Sequence, residues 1–141
     1  MYQTVVVGAD DSPTAADAVN RAVALTKLSG GTLHIVTAYK PRPVGDGDVP
    51  DEFRYTMPSS IEADVLLRDL GGVAAEQGVQ FETHAATGDP VDALIGIAER
   101  EKADLIVVGN KGMHGARRVL GSVPNSVAHR APCSVLILAT T

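Results

Sequence analysis

The sequence has little of what marks secreted and membrane proteins. It contains one cysteine, Cys133, so an internal disulfide is excluded and a reducing compartment is expected. No apolar run approaches the roughly 18 residues that a membrane-spanning helix needs. The first residues show no basic region and no cleavage site of a signal peptide. We therefore expect a cytoplasmic protein that does not enter a membrane.

Motifs of several common catalytic classes are absent as well. There is no Gly-Lys-Ser/Thr of a P-loop and no Gly-x-Ser-x-Gly of a nucleophile elbow. The glycines at 109, 112 and 115 have the spacing Gly-x2-Gly-x2-Gly, which differs from the Gly-x-Gly-x2-Gly of dinucleotide-binding dehydrogenases. No nucleophile and base are paired in the sequence, so we do not expect an enzyme with fast turnover.

Sites for a structural metal ion are not indicated by spacing. Asp46, Asp48 and Asp51 miss the EF-hand pattern and are interpreted as part of a solvated loop over residues 40–58. His129 and Cys133 supply two of the four ligands that structural zinc needs. We interpret them as a surface histidine and a small buried thiol.

Positive charge is scarce too. The chain of 141 residues has 17 acidic and 12 basic residues, a net charge of -5, and no basic cluster beyond Arg117-Arg118. A nucleic-acid surface is therefore not expected. The length is that of one domain, which we assign to residues 1–141.

What the sequence does contain is a regular alternation of strands and helices. Strands are predicted at 4–7, 32–39, 79–85, 104–108 and 134–139, and helices after Ser12, over 59–77, after Asp89 and from Ser122. Such alternation is typical of an α/β fold with one open parallel sheet and helices on both faces. The runs 4–7 and 104–108 are the most continuously apolar and belong at the centre, whereas 79–85 alternates and belongs at an edge. Strand order 3-2-1-4-5 satisfies both conditions.

That order predicts where a ligand binds. In an open parallel sheet, ligands occupy the crevice at the carboxyl ends of the strands, where the strand order reverses. Here the reversal falls between strands 1 and 4, which end near Asp10 and Gly109. The stretch from Gly109 to Ser122 carries spaced glycines and then a predicted helix start with proline in its first turn. Unpaired N–H groups at such a helix start bind anions, so we expect it to hold nucleotide phosphates.

The same stretch resembles the nucleotide signature of the universal stress protein family. Gly109-x2-Gly112, a spacer and Gly121-Ser122 are similar to the pattern of its ATP-binding branch, and the resemblance covers essentially the whole chain. The spacer from Met113 to Leu120 has eight residues, where the family usually has nine. With the motif at the end of strand 1, the resemblance implies a nucleotide site formed by Gly8, Ala9, Asp10, Thr37, Ala38, Gly109, Asn110, Lys111, Gly112, Gly115, Gly121, Ser122, Val123 and Asn125.

Individual roles have alternatives at this stage. Asp10 either accepts from a ribose hydroxyl or holds Mg²⁺, or it simply caps the next helix. Thr37 and Ala38 match the family's backbone contact to adenine. Asn125 either contacts ribose or caps a helix. Arg117 and Arg118 either bind phosphate or are a solvated pair.

The function implied is binding of an adenine nucleotide in a regulatory or stress-adaptation role. ATP with Mg²⁺ carried by the nucleotide is the expected ligand. The alternatives are a cyclic AMP receptor, a slow ATPase or nucleotidyl transferase, and a structural dimer without ligand. The last strand, 134–139, is apolar on both faces yet predicted at a sheet edge, so we expect a homodimer through it.

Overall fold

The structure, a computed structural model, describes residues 1–10, 12–40, 58–110 and 117–139, with only the backbone for 117–122. The five strands are β1 (Thr4–Gly8), β2 (Thr32–Tyr39), β3 (Gln80–Thr87), β4 (Leu105–Gly109) and β5 (Ser134–Leu138). The helices in the described residues are α1 (Pro13–Ser29), α2 (Ser60–Glu76), α3 (Pro90–Glu101) and α4 (Arg117–Arg130). The predicted loop at 40–58, including Asp46, Asp48 and Asp51, lies almost wholly outside the described residues.

The strands form one parallel sheet in the order β3-β2-β1-β4-β5, which confirms the predicted order. β1 pairs with β2 on one side and with β4 on the other. β3 and β5 form the two edges of the sheet. β1 and β4, the strands with the most continuously apolar sequence, therefore lie inside the sheet, as predicted. Apolar side chains suit both faces of these strands because helices cover both faces of the sheet.

Helices cover both faces of the sheet, as predicted. On one face, alternate residues of the central strands, such as Val7 and Leu33, pack with α1 and α2 in one apolar cluster. On the other face, Val6 and Ile106 pack with α3 and with Val127 of α4 in a second cluster. Period-two alternation in the strands thus supplies two cores from one sheet.

Local sequence signals set the helix ends. Ser12 caps α1 through its Oγ, which accepts from Ala15 N–H (3.3 Å), and Gly30 ends the helix with φ 75°. Ser59 and Glu62 form a reciprocal capping box at the start of α2. Asp89 caps α3, accepting from Val91 N–H at 2.7 Å.

The start of α4 differs from the prediction. The sequence predicts a helix from Ser122 with proline in its first turn, but α4 begins at Arg117 and contains Pro124 in its interior. Arg117 to Leu120 are compatible with helix, so the helix extends one turn earlier. Pro124 removes one bond to the carbonyl four residues before it and crowds that carbonyl with its ring, which helices accommodate by bending. Gly121 and Ser122 are therefore helical residues, not the end of a loop.

No helix in the described part of the chain combines the length and the apolar character needed to span a bilayer.

Candidate functional site

A crevice opens where β1 and β4 separate at their carboxyl ends. The two strands are paired as far as Val7 and Val107. Beyond that point Ala9 N–H donates to the carbonyl of Val36 (2.9 Å), whereas Asn110 N–H donates to the carbonyl of Leu138 (2.8 Å). The end of β1 thus follows β2 and the end of β4 follows β5. This divergence leaves the gap that open α/β sheets use for ligands.

Asp10 lies in the turn on the β1 side of this crevice. Its Oδ1 accepts from Ser12 N–H at 2.9 Å, and Ser12 in turn caps α1. The carboxylate is half-buried and held in position by this turn. Asp10 thus holds the turn before α1, whereas the helix cap that the sequence offered for it is Ser12. A contact with ribose or Mg²⁺ is compatible with this turn because a carboxylate accepts several bonds.

Gly8 has a packing reason to lack a side chain. A Cβ at this position would lie 3.0 Å from Cδ2 and 3.1 Å from Cδ1 of Leu94 in α3. Gly8 therefore lets α3 approach the end of β1. Ala9, the next residue, is half-buried at the crevice and packs beside the first apolar cluster.

Thr37 and Ala38 lie near the end of β2, next to β1. Thr37 is fully buried, and its Oγ1 has no hydrogen-bond partner among the described residues. A buried hydroxyl without a partner costs roughly 1–3 kcal/mol, so a group that pairs with it stabilises the folded chain. Ala38 is 9% exposed and pairs in register with Ala86 of β3.

The glycine stretch is described only at its ends. Gly109 and Asn110 are half-buried at the end of β4. Lys111, Gly112 and Gly115 lie outside the described residues. At the other end, Val123 is half-buried and packs beside the second apolar cluster, while Asn125 is exposed on α4.

The correction at α4 changes which backbone groups face an anion. The first four N–H groups of a helix have no partner within it. In a helix that begins at Arg117 they include those of residues 117–119, and not those of Gly121 and Ser122 as predicted. No acidic residue lies in the first turn, which instead carries Arg117 and Arg118. Basic residues at this end oppose the helix dipole by about 0.3–1 kcal/mol each, which a bound anion offsets.

The cysteine and histidine near the end of the chain offer no reactive pair. Burial, and then the nearby Asp104 carboxylate, raise the pKa of Cys133, so its thiol stays protonated at neutral pH. His129 is exposed, as predicted, whereas Cys133 is half-buried. These two residues therefore do not form an activated nucleophile.

Comparison with known proteins defines the class. A profile of the universal stress protein family matches residues 1–139. A universal stress protein of Mycobacterium tuberculosis (strain ATCC 25618 / H37Rv) is 39% identical over 144 residues, covering 99% of this chain and 98% of that protein. The chain belongs to the universal stress protein family, which confirms the family predicted from the sequence.

Solved structures show the same fold. A universal stress protein in complex with cAMP is 39% identical, with a TM-score of 0.76, covering 99% of this chain and 98% of that one. The universal stress protein from Archaeoglobus fulgidus in complex with dAMP is 24% identical, with a TM-score of 0.72, covering 96% and 97%. The architecture deduced from the apolar pattern is therefore that of the family.

Proposed function

We propose that this chain binds an adenine nucleotide in the crevice between β1 and β4 and acts as a cytoplasmic regulatory protein, not as an enzyme. The observation that carries the proposal is the divergence of the two strands, which leaves Asp10 on one side and Gly109 on the other. A similar protein over 99% of this chain holds cAMP, which supports the same class of ligand.

ATP with Mg²⁺ carried by the nucleotide is the ligand we expect. The first turn of α4 contains two arginines and no acidic residue. ATP brings more phosphate charge to that helix start than AMP or cyclic AMP does, and therefore gains more from the helix dipole and the guanidinium groups. The glycines at 109 and 112 would let its phosphates approach the main chain.

Cyclic AMP is the second candidate, and two observations favour it. It is the ligand of the 39% identical protein of known structure. The spacer of eight residues is also one shorter than is usual in the ATP-binding branch, and a shorter loop favours a ligand without outer phosphates.

Competition calorimetry with ATP, ADP, AMP and cyclic AMP, each with Mg²⁺, tests this proposal. We expect ATP to bind most tightly. If cyclic AMP binds at least tenfold more tightly than ATP, a difference of about 1.4 kcal/mol, then cyclic AMP and not ATP is the ligand, and the proposed class of ligand, an adenine nucleotide, still holds. Absence of binding by all four nucleotides contradicts the proposed function itself.

A homodimer through β5 is the second part of the proposal. Leu136 and Ile137 are 39% and 45% exposed on this edge strand. The carbonyl of Leu138 accepts from Asn110 N–H, so the backbone groups of Leu138 face β4. Backbone groups alternate in direction along a strand of a parallel pair, so those of Leu136 also face β4 and those of Ile137 face outward. Exposed apolar edges with outward backbone groups pair with other chains.

Ile137→Pro should convert the dimer to a monomer while the chain stays folded. Proline at this position removes an outward N–H and keeps the bonds to β4, a placement that edge strands tolerate. Analytical ultracentrifugation at micromolar concentration measures the change, and Ile61→Ser, which alters another exposed apolar residue on α2, is the control. A monomeric parent, or an unchanged dimer in Ile137→Pro, contradicts this interface.

A further inference from the structure

Two histidines and a glutamate meet on one face of the sheet, away from the nucleotide crevice. His34 of β2 pairs in register with Glu82 of β3, and His84 lies two residues further along β3. One ligand atom from each of the three side chains lies within 4.8 Å of the others. His34 is in the amino-terminal half of β2, whereas the crevice lies at the carboxyl ends of the strands.

The two imidazole rings are already in contact. His34 Nδ1 and His84 Nε2 are 3.0 Å apart, and the ring centroids are separated by 5.2 Å. His34 is 3% exposed between the fully buried Leu33 and Ile35, so its ring is fixed by packing. His84 is half-buried and Glu82 is exposed at the edge strand. A ligand that reaches this edge therefore meets one fixed and two adjustable side chains.

Hydrogen bonding defines the protons on the two rings. A guanidinium only donates, so His84 Nδ1 accepts from Arg100 Nη2 at 3.2 Å. His84 Nε2 then carries the proton and donates to His34 Nδ1, which leaves His34 protonated at Nε2. Burial, then the neighbouring His34 and Arg100, lower the pKa of His84. In this network His34 Nδ1 and His84 Nε2 face each other, which brings together two ring nitrogens that imidazole uses to bind metal ions.

We propose that His34, His84 and Glu82 form a Zn²⁺ site at the β2–β3 edge, with His34 Nδ1, His84 Nε2 and a Glu82 carboxylate oxygen as ligands. Two imidazoles and one carboxylate are a ligand set that zinc uses in sites with an open fourth position. Zn–N bonds of about 2.05 Å at a tetrahedral angle separate two nitrogens by about 3.3 Å. The rings need to part by only a few tenths of an ångström from the 3.0 Å observed.

Metal binding would replace the contact with Arg100. When His84 Nε2 binds Zn²⁺, the ring proton moves to Nδ1, which then cannot accept from Arg100. Arg100 is in the last turn of α3 and its side chain is 61% exposed, so it can turn away with its partner Glu101. Arg100 therefore opposes zinc both through its positive charge and through the hydrogen bond that must break.

Calorimetry with zinc chloride on the tag-free full chain tests the site. We expect one Zn²⁺ per chain, with affinity lowered at least about tenfold in His84→Gln and in Glu82→Gln. His129→Gln removes an exposed histidine of α4 and should bind zinc as the parent does. Arg100→Gln should bind a few-fold more tightly, about threefold, because an exposed opposing charge is removed.

Cobalt binding provides a second measurement, because a histidine pair with a purely structural role would give no cobalt spectrum. Co²⁺ bound by two nitrogens, one carboxylate oxygen and a water in the fourth position should show the visible bands of a four-coordinate ion, and zinc should abolish them by displacing the cobalt. Circular dichroism checks that each variant is folded. We expect all of them to fold, because His84 and Glu82 lie on an edge strand. Absence of saturable zinc binding by the parent, equal binding by His84→Gln, or weaker binding by Arg100→Gln overturns the proposal.

Discussion

Gly121→Asp should abolish ATP binding and leave the chain folded. Position 121 lies inside α4, four residues after Arg117 and three after Arg118, so an added carboxylate sits on the same side of the helix as both arginines. It would neutralise their charge and repel the phosphates. Because juxtaposed like charges cost several kcal/mol, we expect affinity to fall at least about a hundredfold, or 2.7 kcal/mol.

Calorimetry with ATP measures this loss, and two variants control it. Gly96→Asp makes the same change inside α3, where a side chain meets nothing within 4 Å, and should bind ATP like the parent. Gly121→Asn has nearly the size of aspartate without its charge and separates the steric part of the loss. A folded Gly121→Asp protein with unchanged ATP affinity would exclude this stretch as the phosphate site.

Gly31→Ala should lower the free energy of unfolding by about 1–3 kcal/mol, the usual cost of forcing atoms into a packed region. A Cβ at this position would lie 2.5 Å from the carbonyl oxygen of Gln3 and 2.7 Å from that of Tyr2. Both are backbone atoms, so the start of β1 must move. The movement weakens the bond from Thr32 N–H to the Gln3 carbonyl, 2.8 Å long, where β1 and β2 begin.

Urea unfolding measures the difference, with Gly72→Ala as the matched control. Gly72 is inside α2 and a Cβ there meets nothing within 4 Å. Alanine should therefore stabilise the chain by up to about 1 kcal/mol through helix propensity alone. A Gly31→Ala protein as stable as the parent would show that β1 and α1 adjust at no cost.

Strand order was predictable because strands that are buried on both faces have a more apolar composition than strands at an edge. Residues 5–7 and 105–108 are apolar at every position, as is typical of strands covered on both faces. β3 alternates less regularly than predicted: Phe81 is half-buried, while Thr83 and Ala85 are exposed. The position of β3 at the sheet edge was still predicted correctly, because β3 has more polar residues than any other strand.

The start of α4 was not predictable from local signals. Gly121, Ser122 and Pro124 are together typical of a helix N-terminus, and the sequence analysis placed it there. These signals are weak compared with tertiary packing. Val127, in the middle of α4, is fully buried in the apolar cluster with residues of β4 and α3, and this packing fixes the direction of the helix axis. The residues before Gly121 extend the helix along the same axis.

The pairing of His34 and His84 was also missed, although a signal existed. A histidine within the apolar run of β2 needs a buried partner. Which residue of β3 supplies it depends on the register between two parallel strands, and nothing in the local sequence fixes that register. The structure pairs Val36 with His84 and so places the second imidazole beside the first.

The central claim is that an adenine nucleotide occupies the crevice between β1 and β4. Hydrogen–deuterium exchange of the chain with and without ATP and Mg²⁺ tests it most directly. The account predicts slower exchange at residues 8–10 and 109–110, with Ser60–Glu76 of α2 unchanged because that helix packs against β2 and β3. Saturating ATP that leaves exchange at both strand ends unaltered would contradict it.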